Sequence, residues 1–348
     1  MLETLVDKFA LWLGSGGPEA DVVVSTRGVL ARNLSDLPFP DTCSDDERRT
    51  VEERVLTACE DIEVLAGGQY LPLQELDECE VQFLVEARLV TRELADGDGA
   101  RGVYVTEDQS VSVMVNEADH IHVQVTDAGL CLSEAWEKLS ALDELFSTRL
   151  DFAYDDRYGY LTADLARVGS GLKMTPELHL PALGATQRIM ALAQHVCDEH
   201  NLAFEGCLGP LHAGIGDLYA LYNRTTLGRS EEELVYELRE AASRVVAMEK
   251  DARGELLQEG PRGLEDRVGR ALGTARSARL LELDESVALL SSLRLGIELG
   301  LLEGYSLQLI NELLIASQPA HIELKKGQAC DEVTLSVERA DLFRARFA

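Results

Sequence analysis

Residues 102–125 alternate apolar and polar side chains with the period of a pleated strand: Val103 and Val105, then Val111, Val113 and Val115, then Ile121, Val123 and Val125. A period of two places such residues on one face of a strand, which a helix of 3.6 residues per turn cannot do. The runs are split by Glu107-Asp108-Gln109 and by Asn116-Glu117-Ala118-Asp119, both rich in turn-forming residues. The segment therefore predicts an antiparallel meander. Around it, apolar residues at helical spacing predict helices over 2–13, 45–65, 76–94, 130–150 and 185–200, and another running from a capping box at Ser230 and Glu233 to about residue 255. Residues 21–25 read as a buried strand after the breaker Gly14-Ser15-Gly16-Gly17-Pro18, and 151–160 as a strand and turn.

Composition narrows the partners. The chain carries 62 acidic against 32 basic residues, a net charge of −30. Such a balance repels nucleic acid and anionic membrane and leaves no basic face to neutralise phosphates. No stretch approaches the roughly 18 apolar residues of a membrane span, and the apolar cluster at 9–13 has no basic lead-in, so a cytoplasmic location is expected. Seven cysteines at 43, 59, 79, 131, 197, 207 and 330 form no CxxC pair. They predict packing roles, with neither a disulfide framework nor a metal site.

Several motifs recur in a fixed order. Ser25-Thr26-Arg27-Gly28-Val29-Leu30-Ala31-Arg32-Asn33-Leu34 leads to Pro38-Phe39-Pro40, and Asn116-Glu117-Ala118-Asp119-His120-Ile121-His122 follows in the meander. Residues 160–183 read YLTADLARVGSGLKMTPELHLPAL, and 223–233 read NRTTLGRSEEE before Gln318-Pro319-Ala320-His321. Together these resemble the motifs of ATP:guanidino phosphotransferases of the bacterial protein-arginine kinase type. The resemblance implies an α+β fold: a phosphagen-kinase-like catalytic domain over 1–228, with a central antiparallel sheet flanked by helices, and a helical domain over 229–348. It also implies a homodimer formed through the helical domain.

The same resemblance assigns positions. Five arginines grip the nucleotide in this family, because a planar guanidinium offers paired donors to phosphate oxygens. Arg27 matches the first, Val29 replaces the second, His122 and Lys173 stand at two more, and Glu205 falls on the fifth by spacing from Tyr219 and Asn223. Around the guanidinium, the family's two glutamates fall on Ala118 and Pro210, its cysteine on Asp164 and its asparagine on Arg167. The C-terminal phosphoarginine-reading motif keeps only Arg339-Ala340 in the best register, leaving Arg339 as its residual contact.

These substitutions weigh against transfer. Charged hydrogen bonds contribute about 1.5 to 3 kcal/mol each, so losing several arginines abolishes ordinary ATP affinity. His122, with a reference pKa of about 6.5, is expected to be mostly neutral. A one-residue slip would offer Glu117 or Asp119 as a base but would not restore the cysteine. The residual phosphate contacts are thus Arg27, Lys173 and His122, and no cofactor is expected. The sequence predicts a pseudokinase, a regulatory or scaffolding partner of an active arginine kinase, its activator or a Clp-type chaperone-protease system. The alternative is an active ATP- and magnesium-dependent protein arginine kinase with rearranged catalytic residues. A further possibility is a pocket in which Asp164 and Glu205 hold an unmodified arginine side chain. His120 is expected to hold its turn and to bind no metal with His122.

Overall fold

Ten strands are found among residues 2–207 and 215–348, which the computed structural model describes. They are β1 (Val23–Arg32), β2 (Gln69–Pro72), β3 (Gly102–Val105), β4 (Val111–Val115), β5 (Ile121–Ala128), β6 (Tyr154–Asp155), β7 (Gly159–Tyr160), β8 (Leu172–His179), β9 (Leu202–Gly206) and β10 (Leu218–Asn223). Eight of them form one antiparallel sheet in the order β2-β3-β4-β5-β1-β8-β10-β9, and β6 and β7 make a separate hairpin. The expected meander is its β3-β4-β5 part. β1 lies inside the sheet, bonded to β5 and β8 along most of its length. It is longer than the strand expected over 21–25 because the motif after Ser25 continues the strand.

Both faces of the meander are covered, which alternation alone does not reveal. Val113 pairs with Val123 and Val115 with Ile121, and these face a core shared with Leu139 and Phe146 of helix Leu132–Ser147. Val103 sits opposite Met114, so β3 turns its valines to the other face. There they meet Phe83 and Leu84 of helix Glu78–Glu86. Continuing toward β8, the second face becomes polar: Arg27, His122, Lys173, Thr175 and Glu177 take the positions that alternate with the buried apolar ones. A polar strip on a covered face is where a ligand can be held.

Helix Glu231–Glu259 starts from the expected capping box, with Ser230 and Glu233 each bonding the other's backbone N–H. Its Leu238, Ala242 and Val245 belong to the same core as the sheet. Another core begins beyond Gly260, with Val268 on helix Pro261–Ser277. Helices Leu283–Glu298, Leu307–Ala316, Pro319–Lys326 and Glu332–Phe347 complete the C-terminal region. Buried Arg294 ties that region to the N-terminal segment, donating to Asn311 Oδ1 at 2.6 Å and to the carbonyl of Ala20 at 2.5 Å.

Two expected helices are interrupted. Residues 2–13 give only Glu3–Val6 and a 3-10 turn at Leu11–Leu13. Residues 76–94 divide into Glu78–Glu86, capped by Asp77, and Arg92–Asp96, capped by Thr91. Between them Arg88 has φ 62, a left-handed conformation that breaks the helical run. None of the described helices is long and apolar enough to cross a membrane.

The glycine turn before β8 is built against β1. Gly171 has φ +71, and a Cβ there would lie 2.5 Å from the Ala31 carbonyl oxygen. Arg32 fixes the same turn: its guanidinium donates to the Ser170 carbonyl at 2.8 Å, forms a paired contact with Asp143 at 2.7 and 2.9 Å, and lies 3.5 Å from the Tyr160 ring centroid. Gly171→Ala should therefore cost about 2 kcal/mol or more, from left-handed strain and overpacking together. Urea unfolding of the variant against wild type measures it, and an unchanged midpoint would show that the turn is not constrained as described.

Candidate functional site

The polar strip floors a cleft of about 470 Å³. Arg27 of β1, Lys173, Thr175 and Glu177 of β8, Glu205 of β9 and Tyr222 of β10 line it. Arg88, Arg92 and Glu86 enter from the segment after β2, while Leu314, Ile315 and Gln318 close the side toward the C-terminal region. Its size lies within the range of small-ligand sites. A larger groove of about 960 Å³ runs between helices Glu78–Glu86 and Pro319–Lys326. Its Arg101 is occupied by the backbone carbonyls of Leu94 and Ala95, at 2.8 and 3.2 Å, which leaves the sheet cleft as the better candidate.

The expected residues divide between the cleft and its surroundings. Arg27, Lys173 and Glu205 come together in it. Burial pulls Arg27 below the usual arginine range. Lys173 is lowered to about 8, first by burial and then by the nearby Arg167 and Arg27 cations, with its ammonium 4.2 Å from the Tyr222 ring centroid. Glu205 and Glu93 act in the opposite direction on Lys173 without overcoming the burial and the cations. Glu205 accepts from the Tyr222 hydroxyl at 2.5 Å. Val29 sits opposite Lys173 in the β1–β8 register and brings no donor.

His122 does not line the cleft, and its expected neutrality is wrong. Its Nδ1 is paired with Glu117, and its Nε2 lies 3.3 Å from Asp119. Burial alone would favour the neutral ring, but the two carboxylates overcome it and raise the pKa to about 9. The imidazolium therefore stays protonated at neutral pH. Burial opposes ionisation of Glu117 and Asp119 as well, yet His122 and hydrogen bonds hold both below the usual carboxylate range. Glu117 also accepts from Thr91, and Asp119 Oδ1 accepts from Asn33 Nδ2 and the Ala163 N–H, each at 2.6 Å. Both carboxylates that a register slip could recruit are thus fully engaged, while Ala118 between them is exposed.

Asp164 is exposed and does not share the cleft with Glu205, so the pocket expected from those two carboxylates is not formed. Its side chain accepts from the Ala166 N–H at 2.9 Å and lies 3.7 Å from Arg167 Nε. Pro210 lies outside the described residues. Arg339 is buried in the C-terminal region, donating to the carbonyls of Ser317 and Leu281 at 2.8 Å each. Two of its guanidinium nitrogens are thus engaged by the scaffold, and it also lines a groove with Leu280, Glu282 and Ser336. His120 accepts from the Leu34 N–H through Nδ1 and faces the Pro38 carbonyl through Nε2, at 3.0 and 2.8 Å. That is the turn-holding role expected. Among the described residues no metal-binding cluster is found, and the six described cysteines are free.

Arg88, Arg92 and Glu177 were not anticipated. Arg88 pairs with Glu177, lies 5.1 Å from the Trp12 ring centroid, and is lowered to about 10, chiefly by burial. Ser25 adds a donor to Glu177 at 3.3 Å. Glu177 was legible in principle, since Lys173, Thr175 and Glu177 repeat every second residue along one strand. Arg88 was not, because its direction depends on the left-handed break between two helices.

Residues 50–252 match the family described as ATP:guanido phosphotransferase, C-terminal catalytic domain, and residues 261–348 match that described as protein-arginine kinase McsB C-terminal domain. The protein-arginine kinase of Moorella thermoacetica is 37% identical over 346 residues, 99% of each chain. That of Symbiobacterium thermophilum is 36% identical over 340 residues, 97% of this chain and 96% of the relative. The crystal structure of lombricine kinase superposes with a TM-score of 0.59 at 22% identity, covering 73% of this chain and 72% of the other, a likeness of fold.

The His122 cluster yields a pH dependence. Its pKa of about 9 in the folded chain stands above the reference of about 6.5, so it contributes stability that is complete below pH 6.5 and lost as pH rises through 9. A shift of that size is of order 3 kcal/mol. Wild type should lose thermal stability between pH 7 and 9.5 more steeply than His122→Gln, measured by calorimetry at both pH values. Equal slopes would mean that the ring is not held as an imidazolium.

Proposed function

Because the chain belongs to the ATP:guanido phosphotransferase family, on its protein-arginine kinase branch, we propose that it is a member that binds a phosphorylated ligand without transferring phosphate. Such a pseudokinase serves as a regulatory or scaffolding partner in protein-arginine phosphorylation, in contact with an active kinase, its activator or a chaperone-protease system. The observation that supports this reading is the engagement of carboxylates. Phosphoryl transfer to a guanidinium needs a base to take its proton, and general-base work contributes about 10² to 10⁴ in rate. Glu117 and Asp119 are consumed by His122, Glu177 by Arg88, and Ala118 offers no acid at all.

The nucleotide side agrees. Positioning and charge stabilisation carry phosphoryl transfer, yet Val29 and Glu205 stand where the resemblance puts arginines. Glu205 adds repulsion toward a chain of phosphates.

A second reading, an active ATP-dependent protein arginine kinase, is favoured by the relatives, two of which carry that name and align over 99% and 97% of the chain at 37% and 36% identity. The cations Arg88 and Arg92 beside Arg27 and Lys173 give it physical support, since they enter the cleft from positions outside the family motifs. In that reading ATP and magnesium are the cofactors, and Arg88 must exchange Glu177 for phosphate.

Incubation with ATP, magnesium and an arginine-rich protein separates the two. The expected result is no acid-labile phosphoarginine above a no-enzyme control. A clear signal that disappears in Arg27→Ala would establish the second reading instead.

A further inference from the structure

The groove of about 960 Å³ between helices Glu78–Glu86 and Pro319–Lys326 carries charges that the scaffold does not use. An adjoining cavity of about 570 Å³ extends it past Gln74 and Arg101, which line both. Leu76, Val81 and Leu324 form an apolar floor: they pack on the core beneath and stay half-buried. Glu78 and Asp96 stand along the groove, and Glu53 and Glu75 along its extension. All four are exposed, and their carboxylates have no hydrogen-bond or ion-pair partner among the described residues. The lining cations are mostly committed elsewhere. Arg101 donates to the carbonyls of Leu94, Ala95 and Gly99, and Arg92 to Gln82 Oε1 at 2.8 Å. Only Arg49, in the extension, has no such partner among the described residues.

We infer that this groove docks a basic amphipathic helix of a partner protein, its leucine-type side chains laid on Leu76, Val81 and Leu324 and its lysine or arginine side chains reaching Glu78 and Asp96. Helix-in-groove recognition joins an apolar face to an apolar floor in this way. The free carboxylates beside the floor supply the complementary charge, which steers encounter and rejects partners of the wrong sign. The walls are helices of nine and eight residues, about 12 to 14 Å at 1.5 Å per residue, so they offer contact to about two turns of a third helix. The inference gives the scaffolding role a surface, yet it holds whether or not the cleft transfers phosphate.

Other occupants fit less well. Nucleic acid and anionic lipid meet repulsion from the same carboxylates. A second copy of this chain brings its own net charge of −30. For a metal ion, no group of three ligating side chains converges among the described residues. Carboxylates spread along a trench suit several separated cations on one segment.

The test is fluorescence anisotropy of a labelled peptide of about 16 residues, with leucine and lysine at helical spacing, titrated with the full chain. It should bind saturably, and a scrambled peptide of the same composition, which keeps the charge and loses the apolar face, should bind at least roughly tenfold more weakly. The double variant Glu78→Lys, Asp96→Lys should weaken binding by about the same factor. Glu232→Lys with Asp251→Lys, an equal change of charge at exposed positions of helix Glu231–Glu259, should leave it nearly unchanged. On the unaltered protein, bound peptide should slow amide hydrogen exchange in helices Glu78–Glu86 and Pro319–Lys326 and leave helix Glu231–Glu259 as it was. Absence of saturable binding, equal binding of the scrambled peptide, equal weakening by the two double variants, or exchange unmoved by saturating peptide would each overturn the inference. So would dimers in sedimentation that the Glu78 and Asp96 variants dissolve, since a second copy would then fill the groove.

Discussion

A single protonated imidazole holds together the part of the chain where catalysis would be sought. His122 sits between Glu117 and Asp119, and those two carboxylates reach outward to everything nearby. Asp119 bonds Asn33 just past the end of β1 and the backbone of Ala163 in the loop before β8, while Glu117 bonds Thr91 at the cap of helix Arg92–Asp96. Removing the cation would leave two buried acids facing each other, a situation proteins avoid by neutralising one of them. The strand end, the loop and the helix cap are therefore positioned by one charge balance.

That balance carries a chemical consequence. A carboxylate held below its usual range by an adjacent imidazolium is a weaker base toward any other proton. Histidine at position 122 thus does more than shorten an arginine. It withdraws from solvent the two acids that flank Ala118 and converts a turn that could face substrate into an internal brace. The cleft proper lies farther along the same sheet face, where the apolar alternation gives way to Arg27, Lys173 and Glu177.

What could be read from the sequence follows the range of the forces involved. The meander and the Ser230 capping box were legible because pleat period and local hydrogen bonding act within a few residues. The lost acid at Ala118 and the charge at Arg27 were equally visible. Hidden were the facts that depend on distant partners. His122 titrates near 9 only because two acids fold around it. Arg339 serves two distant backbone carbonyls, and Arg88 reaches the cleft because its backbone turns left-handed after a helix. Asp164 and Glu205 share a sign but not a location, which no spacing in a linear chain could establish.

The arginines of this chain illustrate why motif letters and chemistry part company. Arg32 and Arg27 stand five residues apart on one strand, and so on opposite faces. Arg32 is spent on Asp143, Ser170 and the Tyr160 ring. Its loss would leave a half-buried acid and an unsupported turn, so its role is fixed by the scaffold. Arg27 faces the open side with no protein partner among the described residues, and burial works against its charge. An ion kept in that condition gains nothing for folding. Its charge is left to the cleft, whose lining also holds the carboxylates of Glu86, Glu177 and Glu205, so two arginines of one strand are divided by the pleat between scaffold and cleft.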